Sequence, residues 1–110
     1  MKEIRKTSQF KKDFKCFSKD LNKVNLLYAI VAKLANGENL PAEFNPHQLK
    51  GEWKDYMECH VEDDYLLIWY DKDEGIIKLV RLGSHSELFG KRSVKLTYNT
   101  FSMVQQLAVP

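Results

Sequence analysis

The sequence predicts an α+β domain of two layers, with a helical hairpin packed on one face of an antiparallel sheet. Apolar residues recur at helical spacing between Phe10 and Leu34, and three apolar or aromatic runs separated by short acidic turns follow between Trp53 and Leu82. The chain has 110 residues, 44% of them hydrophobic, which suits one domain with a substantial core. The implied order is β-α-α-β-β-β.

Lys2 to Thr7 reads as a short first strand around Ile4. Ser8 is placed to cap a helix, because Phe10, Phe14, Phe17 and Leu21 then form one stripe with lysines on the other face. A second helix starts at Asn22 and runs through Val24, Leu26, Leu27, Ile30, Val31 and Leu34. Asn36-Gly37 ends it as a left-handed cap does. Glu38 to Glu52 carries Pro41, Pro46 and Gly51 with few periodic apolar residues, so it reads as a loop with His47 inside it. Strands are expected at Trp53 to Val61, Tyr65 to Tyr70 and Ile76 to Leu82. The turns between them, Glu62-Asp63-Asp64 and Asp71 to Gly75, are short enough to impply an antiparallel meander. Past Gly90, Val94, Leu96 and Tyr98 alternate as in a strand, and Ser102 to Val109 suits a helix or a disordered end.

Formal charge is only +2, but its distribution is uneven. Lys2, Arg5, Lys6, Lys11, Lys12, Lys15, Lys19 and Lys23 stand against Glu3, Asp13 and Asp20 in the N-terminal quarter, which suits a solvated helix face or a polyanionic partner. The charged N-terminus lacks the apolar run of a secretory signal, and no stretch approaches the ~20 apolar residues of a membrane span. A cytoplasmic protein without a membrane partner is the expectation. Cys16 and Cys59 form neither a CxxC pair nor a disulfide framework, as expected of reduced thiols. A Cys59 nucleophile beside His60 is disfavoured, because neighbours on a strand point to opposite faces.

The three histidines, His47, His60 and His85, share a short stretch of chain with Asp64. In a meander each turn returns the chain to the sheet end it left, so His60, Asp64 and His85 converge. Continuing the pairing puts Arg81 opposite Tyr65 and Tyr65 opposite His60 on one face, a row that a one-residue slip overturns. Histidine titrates near neutrality, so one ring can take a proton while another gives one, and a carboxylate can fix a ring's tautomer. An arginine holds a phosphate through two hydrogen bonds and offsets charge in the transition state. Together these groups suit metal-free RNA cleavage, in which a base removes the ribose 2′-OH proton and an acid protonates the 5′-oxygen leaving group. That chemistry needs no cofactor.

Each residue also has a plainer reading. The histidines could be structural, and Arg81 could pair with Asp64 or Glu58. Tyr65, Trp53, Trp69 and Phe89 could be core aromatics, with base stacking the sharper option for Tyr65 and Phe89. Zinc binding is disfavoured by the lack of HxxxH, HExxH or CxxC spacing.

Three blocks then become recognisable: His47-Gln48-Leu49-Lys50-Gly51-Glu52-Trp53-Lys54, Glu58-Cys59-His60 through Asp64-Tyr65 to Ile68, and Arg81-Leu82-Gly83-Ser84-His85-Ser86-Glu87-Leu88-Phe89. In order and spacing they resemble the YafQ branch of the RelE-type toxins of bacterial type II toxin-antitoxin systems, over about residues 1–90. The resemblance implies a RelE-like fold and a ribosome-dependent mRNA endonuclease that cuts the message in the 30S decoding site. It implies His47, His60, Asp64 and His85 as the catalytic set, with Arg81 and Phe89 holding phosphate and placing substrate, beside Tyr65 as the stacking candidate for substrate binding. His85 takes the acid/base role nearest the scissile phosphate. The implied partners are a cognate antitoxin, the ribosome with its mRNA, and operator DNA reached through the antitoxin.

Two departures stand out. Tyr65 occupies a position where the family's best-known member carries tryptophan, and about twenty residues, 91–110, follow the motif as an extension: a disordered tail, an added element on the sheet, or appended sequence of another origin. Two other functions share features with this one. ParE-type toxins of the same fold inhibit DNA gyrase without such a histidine set, and a small basic RNA-binding module would bind RNA without cutting it.

Overall fold

The structure is a computed structural model that describes residues 1–62, 64–72 and 75–89. The strand-like alternation at Val94, Leu96 and Tyr98, the stretch Ser102 to Val109 and the boundary of an extension over 91–110 lie outside the described residues. Strand β1 (Glu3–Lys6) leads into helices α1 (Ser8–Phe17) and α2 (Leu21–Ala35). A two-residue strand β2 (His47–Gln48) follows, then β3 (Tyr56–Glu62), β4 (Tyr65–Tyr70), β5 (Ile76–Ser84) and a short helix α3 (His85–Leu88). The expected order is present, with β2 and α3 added. The sheet runs β1-β5-β4-β3-β2, and the meander β3-β4-β5 is antiparallel as expected. The exception is β1, which lies parallel to β5, an arrangement made possible by the long connection between them.

Local chemistry explains the shifted boundaries. The cap of α1 is Thr7 rather than Ser8: its hydroxyl accepts from Phe10 N (3.0 Å) and donates to the Val80 carbonyl (2.8 Å). Leu21 does not continue the first stripe. It opens α2, where Asp20 caps Asn22 and Lys23, and its side chain is 74% exposed. Gly37, at φ +73°, ends α2, with Gly37 N donating to Leu34 O and Glu38 N to Lys33 O, as the Asn36-Gly37 signal predicts. Trp53 belongs to a 3₁₀ turn, Gly51–Trp53, so β3 starts three residues later than the apolar pattern suggests.

Two apolar clusters sandwich the sheet. Phe10, Phe17, Val24, Leu27, Ile30 and Leu34 of the hairpin pack on Cys59, Val61, Leu67, Trp69, Ile77, Leu79 and Leu82. On the other face Tyr56, Leu66, Ile68 and Val80 meet Leu88 of α3, with Leu49, Trp53, Tyr70 and Phe89 around them. The face away from the hairpin thus carries a small core of its own. Among the described residues no helix is long and apolar enough to cross a membrane.

Candidate active site

Register decides which side chains meet. His60 pairs with Leu66 and Leu66 with Gly83, while Glu58 pairs with Ile68 and His47 with Glu58. Directly paired residues share a face, and Leu66 and Ile68 belong to the smaller cluster. His47, Glu58 and His60 therefore stand on the face away from the hairpin. Because β2 pairs with β3, His47 is placed by the sheet and not by a free loop.

At the sheet end, the backbone N–H of His85 donates to the Asp64 carbonyl at 3.1 Å, and Tyr65 pairs with Ser84. His60, Asp64 and His85 thus lie at one end, as the meander predicts. The side chain of His85 is exposed on the first turn of α3, with its ring 5.3 Å from that of Phe89. This helix is held by a capping box: Glu87 N donates to Ser84 Oγ and Ser84 N to Glu87 Oε1. Leu88 anchors it in the small core. Gly83 allows the close fold-back, since a Cβ there would meet Leu88 Cδ2 at 3.3 Å.

The expected row of His60, Tyr65 and Arg81 does not form. His60 pairs with Leu66 instead, so Tyr65, the next residue on the strand, points to the hairpin, and a bulge between His60 and Glu62 sets its backbone opposite Glu62. Its ring packs edge-on against Phe17 at 5.5 Å, with Lys23 Nζ 3.6 Å from its centroid. Arg81 pairs with Ile68, beside a second bulge, and is bound neither by Asp64 nor by Glu58. Its Nε donates to Asp13 Oδ2 of α1 at 2.8 Å. Trp69 is a core residue, 2% exposed.

Glu58 is the site residue that sequence reasoning left in a structural role. It is the one buried charged side chain among the described residues, 6% exposed, and its Oε1 lies 3.1 Å from His47 Nε2. Its Oε2 is buried without a hydrogen-bond partner. His47 Nδ1 contacts the Asn45 carbonyl at 2.8 Å, so both ring nitrogens are engaged and the ring is oriented. The available signal was an acidic residue two positions before His60 on an otherwise apolar strand. Burial pushes the neighbouring Cys59 thiol up to about 12, which makes it a poor nucleophile at neutral pH. Among the described residues no three His, Cys, Asp or Glu side chains gather as a metal site.

A family model described as the bacterial toxin of type II toxin-antitoxin system, YafQ, matches residues 2–90. The mRNA interferase toxin YafQ of Escherichia coli K12 is 36% identical over 92 residues, 81% of this chain and 97% of its own. A copper-bound L66S mutant toxin from Helicobacter pylori superposes with a TM-score of 0.73 at 38% identity, covering 81% of this chain and all of that one. The E. coli DinJ-YafQ complex gives a TM-score of 0.68 at 34% identity over 82% of this chain and all of the matched one.

Proposed function

Since the chain belongs to the YafQ family of type II toxin-antitoxin toxins, we propose that it is an mRNA interferase, an endoribonuclease that cuts messages on the ribosome by acid/base catalysis. The observation that carries this reading is the gathering of His60, Asp64 and His85 at one sheet end, with the ordered His47–Glu58 pair on the face of His60. One group takes the proton of a ribose 2′-OH, and the oxygen attacks the adjacent phosphorus. The P–O5′ bond breaks, and a second group protonates the departing 5′-oxygen. The products are a 2′,3′-cyclic phosphate and a 5′-hydroxyl end.

His85, exposed and mounted on a capped helix, is the proton-transfer group nearest the scissile phosphate. His60 and Asp64 assist it, and His47, fixed by Glu58, orients the RNA. Phe89, close to the His85 ring, offers a surface for a base. Arg81 binds a phosphate with the N–H groups that Asp13 leaves. Tyr65 contributes through the hairpin face, where it anchors Phe17 and Lys23, rather than by stacking beside His60.

The exposed lysines Lys11, Lys12 and Lys15 of α1, and Lys19 just after it, suit the phosphates of ribosomal RNA. A groove of about 520 Å³, floored by Ile4, Phe10, Phe14 and Val31 and rimmed by Lys6, Lys11 and Lys15, suits an acidic amphipathic segment of a cognate antitoxin. Operator DNA is reached through that antitoxin. Regulated expression followed by mapping of mRNA ends tests the reading. Wild type should generate cuts at internal codons and His85→Ala should not. Growth arrest with intact messages would point instead to a target other than mRNA.

A further inference from the structure

We infer that Asp13, on helix α1, is a positioning residue of the active site, acting through Arg81 and through the strand end that carries His85. This rests on the reading of Arg81 as a phosphate-binding residue.

Asp13 lies far from the histidines in sequence and on the hairpin side of the sheet, yet its carboxylate is a hub. Oδ2 accepts from Arg81 Nε at 2.8 Å and from Leu82 N at 3.0 Å, and Oδ1 accepts from Arg81 Nη2 at 3.3 Å and from Gln9 Nε2 at 3.1 Å. The two charged side chains are 10% and 16% exposed, so this is a forked, largely desolvated pair and not a surface contact.

The position of Asp13 follows from the sheet edge. Pairing of β1 with β5 ends at Lys6 and Leu79. Thr7 N then reaches the Leu79 carbonyl, and the Thr7 hydroxyl reaches that of Val80. Beyond this point β1 has become helix, and Asp13 supplies the acceptor for Leu82 N that a strand would have given. Leu82 is followed by Gly83, Ser84 and His85, so this hydrogen bond fixes the strand from which α3 springs.

The charge has a separate effect. A guanidinium carries five N–H groups in a rigid fork, and Asp13 takes the Nε edge, which sets the direction of the remaining three. Arg81 lines a cleft of about 250 Å³ together with Lys12, Gly83 and Glu87, beside the helix that bears His85. Asp13 thereby aims Arg81 and steadies His85 with one side chain.

Single-turnover cleavage of an mRNA bound to purified ribosomes tests this in four proteins: wild type, Asp13→Asn, Arg81→Ala and the double variant. Asp13→Asn keeps an acceptor for Leu82 N but loses the charge. It should slow cleavage at saturation by about tenfold with little change in the half-saturating concentration, the signature of misplacement. In the Arg81→Ala background the same substitution should cost less than about twofold, because the group it aims is gone. Asp13→Ala, which also frees Leu82 N, should be slower than Asp13→Asn in both backgrounds.

Effects that multiply in the double variant, or wild-type cleavage by Asp13→Asn, would overturn the inference while an impaired Arg81→Ala still upheld the phosphate role of Arg81. Wild-type cleavage by Arg81→Ala would overturn that role and the inference with it. Should Asp13→Asn fail to fold, Arg81→Lys keeps the cation and loses the fork. It should show the same loss at saturation, and wild-type cleavage by it would refute the aiming role.

Discussion

His47 Nε2 stands 3.1 Å from Oε1 of Glu58, a carboxylate that is 6% exposed and whose second oxygen has no partner. Removing the imidazole leaves a buried acceptor uncompensated, whereas removing both groups does not. His47→Ala is therefore expected to lower unfolding stability by about 1–3 kcal/mol, and the double variant His47→Ala/Glu58→Leu to regain most of it. Urea denaturation of the single and double variants is the measurement. Additive losses would show that the contact contributes nothing to stability.

Leu88 joins α3 to the small core and is 3% exposed. Leu88→Ala should cost about 2 kcal/mol, the low end for a buried leucine because the helix is short and the site can relax. It should lower mRNA cleavage more than its own loss of stability would suggest, since His85 loses its anchor. Thermal melting and cleavage measured on the same preparation would separate the two effects.

Thr7 both caps α1 and holds the Val80 carbonyl. Thr7→Ala should destabilise the protein by about 1–2 kcal/mol, while Ser8→Ala, at the first helical position, should change it by only a few tenths. Equal losses would contradict the assignment of the cap.

Cys16 is exposed and Cys59 buried, with burial raising the Cys59 thiol from 9.0 to about 12. At pH 8 its thiolate fraction in the folded protein is on the order of one in ten thousand. A thiol reagent at that pH should modify Cys16 alone in the native state and both cysteines in denaturant. Because the group is held protonated, raising the pH toward 12 increases its reactivity and lowering the pH does not. Prompt native labelling at Cys59 would show that the core opens easily.

The hairpin was legible because burial of one face imposes a period of 3.6 on Phe10 to Leu34, and the meander because Tyr65 to Tyr70, buried on both faces, is an unbroken apolar run bounded by short acidic turns. The convergence of His60, Asp64 and His85 was legible because it needs only chain direction. What escaped depends on single residues out of period. His60 pairs with Leu66 and not with Tyr65, a one-residue offset that puts Tyr65 on the hairpin face, and nothing in the apolar pattern sets that offset. Strand β2 has two residues and no alternation. Asp13 looked like one charge among many on a basic helix, since its partner lies 68 positions away. The short helix after β5 did have a local signal, the Ser84 and Glu87 spacing of a capping box.

Among the described residues, the sheet ends in two residues at one edge and four at the other. An unpaired edge is a template for a strand from another molecule, and its hold grows with the row of amides it offers. The four-residue edge is further marked by Glu3, Arg5 and Lys6. Growth of fibrils by strand addition is disfavoured at both of these edges, so copies of the chain offer one another little template for pairing.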